Sequence, residues 1–575
     1  MGATAMSDLA VDVVKADGPY DDQRPGTSGL RKRVATFQKG TYLQNFVQAI
    51  LDAVEETTSG LDKSKPILLS GDGRYFNKQA CQIILKMLAA NGYKHVIVGT
   101  DFLLSTPAVS VLIRSHSATG GIILTASHNP GGPDGDFGVK YNVGNGGAAP
   151  ESFTDLVFAK SRKISHFKTV HNLPEFDAGK VGKQQILPGF TVEVVDGPAA
   201  HAGLLKTIFD FAAIKKFIQD TRFTVLHDSM NGVAGPTALR ILVEELGLPR
   251  SSVVREKPLE DFGGAHPDPN LTYAPELVQR MGLQPGAAQG PIPDFGAAND
   301  GDMDRNMVLG REFFVTPSDS LAIIAAHAAR GAIPFYCRTP LRGVARSMPT
   351  SSAVDRVAKQ LGIPIYEVPT GWKFFCNLMD SGRIGICGEE SFGTGSDHIR
   401  EKDGMWAVLA WLSIMEFNNR DGQRRSVADV VRAHWAEYGR NYYSRYDYEG
   451  VESQAADRVF ARLRQLIAKP HVGTDYGEFA LDIADEFEYK DPVDGSVTRQ
   501  QGVRFLFTDG SRIIYRLSGT GSVGATIRIY MERYESRPDH LDQATADALK
   551  PLVDIALRLS DIAALTKRTE PTVIT

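Results

Sequence analysis

The chain has 575 residues, 42% of them hydrophobic and 23% charged, with a formal net charge of −5. This composition excludes a disordered chain, and at about 150 residues per domain the length allows three to five domains. The mild acidity argues against a general nucleic-acid binder, so any anionic ligand must meet a local basic cluster.

The elements alternate along the chain. Lys65–Gly71 reads as a strand, Ile83, Ile84, Met87 and Leu88 lie on one helical face, and His95–Thr100 and Gly121–Ala126 are further strands. A second region repeats the pattern, with a strand at Phe223–Asp228, a helix at Pro236–Leu246 and a strand at Ser252–Arg255. A third has strands at Ile333–Arg338 and Ile363–Val368 around a helix near Ser352–Leu361, then a strand at Ile384–Cys387. Such strand–helix–strand alternation predicts α/β architecture. The last region differs. A helix at Val451–Ile467 precedes strands Val503–Thr508 and Arg512–Leu517, which flank the hairpin signal Asp509-Gly510. A strand at Ala525–Glu532 and a helix within Leu541–Leu559 complete a smaller α+β domain. The expected domains are 1–200, 201–316, 317–435 and 436–575.

The longest unbroken apolar stretch, Met405 to Leu412, has eight residues; a membrane span needs roughly 20, so none is expected. Met1–Met6 lacks the basic start of a signal peptide. The four cysteines, Cys81, Cys337, Cys376 and Cys387, have no C-x-x-C spacing. They suit a reducing compartment and support no zinc site, so a cytoplasmic location is expected.

Four loops carry candidate chemistry. Thr125-Ala126-Ser127-His128-Asn129-Pro130 directly follows a strand, where ligands gather in α/β sheets. Its serine is a candidate phosphoryl carrier, and a polar turn is the alternative. Asp300-Gly301-Asp302-Met303-Asp304-Arg305 sets three carboxylates at alternate positions, able to face one point and repel unless a hard cation joins them. An EF-hand is rejected, because Arg305 stands where Gly is needed and Arg311 where Glu is needed. Gly388-Glu389-Glu390-Ser391 joins carboxylate and hydroxyl in a way that suits sugar hydroxyls.

Arg516-Leu517-Ser518-Gly519-Thr520-Gly521-Ser522, with Arg528 beyond, offers backbone N–H groups, hydroxyls and guanidinium forks to a phosphate. Its literal G-x-G-x-x-G precedes a strand, not a helix, so a dinucleotide site is rejected. Lesser signals are Gly26-Thr27-Ser28-Gly29-Leu30-Arg31-Lys32-Arg33 and Gly71-Asp72-Gly73-Arg74. No G-x-x-x-x-G-K-[ST] occurs. A hydroxyl carrier, a cation site, sugar partners and a phosphate cradle together point to phosphoryl transfer on a phosphosugar.

These loops, in this order, resemble the eukaryotic-type phosphoglucomutase family of the α-D-phosphohexomutase superfamily. Long similar stretches are Thr125–Asn142, Asp300–Met307, Thr370–Phe375, Gly388–Gly404 and Arg516–Ile529. The resemblance implies four domains around a central cleft: three related α/β domains with mixed sheets and a smaller C-terminal α+β domain. It implies a phosphorylated Ser127 and Mg²⁺ on Asp300, Asp302 and Asp304, with a Ser127 phosphate oxygen completing the set. Glu389 and Ser391, beside Thr370 and Gly371, would hold sugar hydroxyls. Arg516, Ser518, Gly519, Thr520, Gly521 and Arg528 would hold the non-transferred phosphate. Arg31, Arg305 and Lys402 match substrate positions, and His128, Lys140 and Lys402 are candidates for proton transfer.

The implied activity interconverts glucose 1-phosphate and glucose 6-phosphate through glucose 1,6-bisphosphate, which is both intermediate and activator. A mannose-phosphate mutase and a non-catalytic parafusin- or aciculin-like secretory or adhesion protein are the alternatives. The implied partner is a phosphosugar, with no nucleic acid and no membrane span, in a monomer, a dimer being the alternative. Three residues depart from the pattern. Met303 stands where glycine is usual, Asn299 where an aromatic or small residue is common, and Asn231 where histidine is common.

Overall fold

A computed structural model describes residues 9–26, 28–284, 290–468, 473–518 and 524–575. The chain divides into two compact units. One comprises Met1–Phe313, Ala332–Arg338 and Phe392–Arg420; the other comprises Phe314–Gly331, Thr339–Ser391 and Asp421–Thr575.

The first unit contains a seven-stranded mixed sheet in the order Leu30–Arg33, Asp136–Val143, Gly120–Leu124, Ile67–Gly71, His95–Gly99, Phe190–Val195 and Gly182–Leu187. Its centre is parallel: Ile67–Gly71 runs with both Gly120–Leu124 and His95–Gly99. Ile67–Gly71 and Gly120–Leu124 are buried at every residue, as continuous apolar strands covered on both faces must be. Helices Tyr42–Thr57 and Asn77–Ala90 contribute to the core of one face, and Thr106–Ser115 to that of the other. The last begins where the Ser105 hydroxyl accepts the Ala108 N–H, with Pro107 in its first turn.

A second sheet in this unit runs Val253–Val254, Val225–Asp228, Phe295–Asn299 and Asn306–Gly310, parallel except for the final antiparallel pair. That antiparallel return makes Asp300–Arg305 a tight connection between two buried strands. The eight-residue apolar run lies inside helix Gly404–Asn418, whose residues Gly404–Met415 are all buried. A helix that is apolar all round belongs to a core. Among the described residues, no helix is long and apolar enough to cross a membrane.

In the second unit, Val344–Ser347 lies between Ile365–Val368 and Ile386–Gly388, parallel to both. The C-terminal sheet is antiparallel, in the order Asp475–Tyr476, Phe479–Glu486, Val503–Phe507, Arg512–Ser518, Ala525–Glu535, Arg440–Val451 and Val573–Ile574. The hairpin forms at Asp509-Gly510, where Gly510 has φ +86° and donates its N–H to the Phe507 carbonyl. Helices Ser453–Ala468 and Thr545–Ser560 supply the core beneath it.

Two expected elements differ. Ile333–Arg338 is not a strand but encloses the short helix Pro334–Arg338. Proline at the first helical position is favourable, whereas within a strand it removes a ladder donor. Pro236–Leu246 is not one α-helix either: α geometry ends at Ala238 and a π-helical segment, Leu239–Glu245, follows.

Trp411 is fully buried in helix Gly404–Asn418. Trp411→Ala is expected to cost about 3–5 kcal/mol by leaving a cavity in a close-packed core. It should show as an earlier unfolding transition of the first unit in denaturant titrations.

Candidate active site

Ser127 sits three residues beyond strand Gly120–Leu124, with φ +53° and 1% exposure. The left-handed conformation is unfavourable for a residue with a side chain, so its surroundings must impose it. The Ser127 N–H donates to the Thr125 hydroxyl at 2.8 Å, and the Ser127 carbonyl accepts from Arg74 Nη2 at 2.8 Å. Thr125 in turn donates to Asp72 Oδ2 at 2.6 Å, and Asp72 also accepts from Arg74 Nε. The lesser signal Gly71–Arg74 thus supplies the buried frame of the serine loop.

The Ser127 hydroxyl donates to Asp300 Oδ2 at 2.8 Å. One carboxylate oxygen from each of Asp300, Asp302 and Asp304 lies within 4.8 Å of the other two, and all three residues are buried. Burial, reinforced by the charges of Asp302 and Asp304, pushes the Asp300 carboxyl well above its usual range. Burial acts the same way on Asp302, but Lys140, the Thr106 hydroxyl and Lys402 outweigh it and hold that carboxyl low.

Asp302 Oδ1 and Asp304 Oδ1 are buried without a hydrogen-bond partner. Buried acceptors left unsatisfied are costly, and an all-oxygen set suits a hard cation. The triad therefore fits a metal. Gly301 permits its approach to the serine: a Cβ there would stand 2.7 Å from the Ser127 carbonyl oxygen.

Met303 adopts φ +64° with its side chain fully buried, and its N–H donates to the Asp300 carbonyl at 3.1 Å. The loop keeps the left-handed turn that glycine would make easily and gains a buried thioether. Asn299 ties the loop from below. Its side-chain oxygen lies 2.7 Å from His227 Nε2, and its Nδ2 donates to the Arg305 carbonyl at 2.7 Å.

The cationic candidates stand around this centre. Lys402 Nζ lies 3.0 Å from Asp304 Oδ2, and Lys140 Nζ lies 3.2 Å from Glu401 Oε1. Arg305 donates its N–H to Asp300 Oδ1 at 3.0 Å, and its guanidinium lies 3.5 Å from Asp268. Burial, then the charges of Arg305 and Arg31, hold His128 well below its ordinary pKa, which favours the neutral imidazole. Burial is also the main force lowering Arg31.

Lys402 is positioned from its C-terminal side. The Asp403 carboxylate lies 2.7 Å from His201 Nε2 and 2.9 Å from His398 Nε2, and it caps helix Gly404–Asn418 by accepting the Trp406 N–H. Gly404 N–H donates to the Met303 carbonyl at 3.1 Å, fastening this loop to the aspartate loop.

The second unit groups the remaining candidates. Gly371, with φ +130°, donates its N–H to Glu389 Oε1 at 3.0 Å, and the neighbouring Thr370 hydroxyl is buried without a partner. Ser391 follows two residues on, partly exposed. Arg516 and Arg528 face each other across adjacent strands. Like charges at facing positions are unfavourable unless an anion joins them. Arg516 Nη1 lies 3.3 Å from the Tyr530 hydroxyl. Ser518 ends the same strand, while Gly519, Thr520 and Gly521 lie outside the described residues.

Motif reading missed several neighbours of the first centre. Thr106 Oγ1 donates to Asp302 Oδ2 at 2.7 Å, and Thr106 N–H donates to the Asp302 carbonyl at 3.1 Å. Glu401 pairs with Lys140, and His266 stands against His128 with ring centroids 6.2 Å apart. The Pro-flanked segment His266-Pro267-Asp268-Pro269 was the available signal, since prolines rigidify a loop carrying titratable groups. Thr106, at a helix start, has an ordinary structural reading and offered no separate cue.

Family models match almost the whole chain. Phosphoglucomutase/phosphomannomutase α/β/α domains I, II and III match residues 22–167, 202–312 and 317–438, and the Phosphoglucomutase-1 C-terminal domain matches 440–572. The chain is 55% identical to "Phosphoglucomutase, cytoplasmic 1" of Zea mays, over 98% of this chain and 99% of that one. It is 52% identical to "Phosphoglucomutase 1, chloroplastic" of Marchantia polymorpha, over 97% and 84%. The crystal structure of the exocytosis-sensitive phosphoprotein parafusin, a phosphoglucomutase from Paramecium, is similar over 100% of both chains, with a TM-score of 0.89 and 46% identity.

Two substitutions test the triad. Thr106→Val keeps the volume but leaves Asp302 without its hydroxyl donor, and should weaken divalent-cation binding about 10–100-fold by calorimetry. Met303→Gly relieves about 1–2 kcal/mol of left-handed strain but deletes a buried side chain worth about 2–5 kcal/mol. A net loss of stability is therefore expected in thermal unfolding.

Proposed function

The chain belongs to the phosphoglucomutase/phosphomannomutase family, and we propose that it interconverts glucose 1-phosphate and glucose 6-phosphate through a phosphorylated Ser127. The observation that carries this reading is the Ser127 hydroxyl, 2.8 Å from a buried carboxylate whose two neighbours hold unpartnered oxygens. A serine hydroxyl is a weak nucleophile and a poor leaving group without such assistance.

In the forward direction the Ser127 Oγ–P bond breaks as a P–O bond forms to the free hydroxyl of glucose 1-phosphate. The hydroxyl proton passes to a base, and glucose 1,6-bisphosphate results. After it turns end for end, its other phosphoryl group returns to Ser127 and glucose 6-phosphate leaves. The neutral His128 is equipped to accept a proton, whereas Lys402 and Lys140, each in an ion pair, are equipped to supply one.

Asp300, Asp302 and Asp304 would hold Mg²⁺, whose small octahedral shell leaves positions for a phosphate oxygen and water. When bound, it neutralises charge on the transferring group. Arg31 and Arg305 would meet substrate beside the serine. Thr370, Gly371, Glu389 and Ser391 would meet the sugar hydroxyls. Arg516, Ser518 and Arg528, with Gly519, Thr520 and Gly521, would hold the phosphate that is not transferred. Four domains divided near 200, 316 and 435, a monomeric state and a cytoplasmic location belong to the same reading.

A coupled assay with glucose 1-phosphate, bisphosphate primer and Mg²⁺ should give robust glucose 6-phosphate formation, abolished by chelator and by Ser127→Ala. Peptide mapping should find phosphate on Ser127. A folded chain with no turnover on glucose 1-phosphate, but turnover on mannose 1-phosphate, would move the specificity to the other branch of the family. No turnover on either would overturn the enzymatic reading.

A further inference from the structure

Glu390 is the carboxylate of the Gly388–Ser391 loop that takes no part in the reaction described above, yet it is held at both ends. It is buried, at 5% exposure. Its N–H donates to the Thr350 hydroxyl at 2.8 Å, and Thr350 is itself fully buried, with its hydroxyl 2.6 Å from that of Ser347. Its carboxylate accepts from Arg445 Nη1 at 2.8 Å. Anchored at both backbone and side chain, Glu390 leaves little freedom to Glu389 and Ser391, one residue to either side.

Arg445 continues the chain of contacts into the C-terminal sheet. Its Nε donates to Asp447 Oδ1 at 2.9 Å, and the other Asp447 oxygen lies 3.5 Å from Arg528 Nε. Arg445 and Asp447 are two residues apart on strand Arg440–Val451, hence on one face, and Asp447 pairs in register with Arg528. Arg528 in turn faces Arg516 on the next strand. Burial alone would lower the Arg445 pKa, but Glu390 and Asp447 outweigh it and keep the guanidinium charged.

Among these five side chains, three cations meet two anions. One positive charge is left over, on the side where a phosphate is expected. Arg445 is the element that joins the two anions. A guanidinium holds two carboxylates in a fixed plane, so the distance from one to the other becomes a property of the fold.

We propose that Glu390, Arg445 and Asp447 form a positioning strut that fixes the sugar-hydroxyl residues Glu389 and Ser391 relative to the phosphate arginine Arg528. This rests on the function proposed above for those residues. The strut fixes the spacing at which a hexose and its own phosphate are bound together. None of its three members is among the residues proposed to meet substrate, so they act through Glu389, Ser391 and Arg528. The gain is preorganisation: a ligand carrying both groups meets both sites without ordering them first.

The test uses the full chain with Glu390→Gln, Asp447→Asn and the double variant, all near-isosteric. Glu390→Gln should raise KM for glucose 1-phosphate about 10-fold, the scale on which misplaced positioning groups act. It should weaken glucose 6-phosphate binding to a similar extent in calorimetry, while inorganic phosphate binds as in the parent. Asp447→Asn should also raise KM, and the double variant should be no worse than about twice the worse single one, because both cut the same strut. Arg445→Lys, which keeps charge but not the fork, should fall with them.

Cation binding at the aspartate triad is read in every variant as a check that the first unit is intact. Folded single variants with unchanged KM and only a lower thermal midpoint would overturn the strut, as would multiplying effects in the double variant. If the parent chain itself turns over no glucose 1-phosphate, the proposed function fails. The strut is then decided by the glucose 6-phosphate and inorganic phosphate titrations alone: equal weakening of both by Glu390→Gln, or no change in either, overturns it.

Discussion

Three carboxylates within 4.8 Å, all buried, are the constraint around which the first unit is organised. At that separation each ionised pair repels by about 3–4 kcal/mol even at an effective dielectric of about 20. The surroundings answer this charge group by group. Thr106 donates to Asp302, Ser127 and the Arg305 backbone donate to Asp300, and Lys402 pairs with Asp304. The oxygens still without partners are the positions where a cation supplies what the protein does not. The strained Ser127, the glycine between two aspartates and the buried Met303 all follow from bringing a strand-end serine against that cluster.

The second unit solves the opposite problem. There the excess is cationic: Arg516 and Arg528 face each other, and Asp447 is shared between Arg528 and Arg445. Elsewhere in the same unit, buried arginines are fully matched. Arg346 meets Asp355 and Glu367, and Arg512 meets Glu532. The faint net charge of the whole chain averages over two local imbalances of opposite sign.

Much of the scaffold was legible because it depends on short-range pattern. The buried strands around Ile67–Gly71 and Gly120–Leu124 and the Asp509-Gly510 hairpin each follow from a few adjacent residues. Ile333–Arg338 misled, because its apolar composition suits a strand while Pro334 decides for a helix start. The π-helical segment at Leu239–Glu245 and the long strand Arg440–Val451 left no periodic mark that distinguished them. At the site, Ser127 and the aspartates announced themselves by residue type and spacing. Thr106, 196 residues from its partner Asp302, did not.

By itself, then, the sequence determined the α/β character of the first three regions and the antiparallel hairpin of the last, and it singled out four loops as candidates for phosphoryl chemistry. These are consequences of periodicity, turn chemistry and side-chain type, which act over a few residues. Only the tertiary structure decided that Ser127 meets Asp300, that Thr106 and Lys402 steady the aspartate loop, that burial lowers the His128 pKa, and that Glu390 pairs with Arg445 while its neighbour Glu389 accepts from Gly371. Each of those depends on groups brought together from distant strands into buried surroundings, where desolvation and a single partner set charge and orientation.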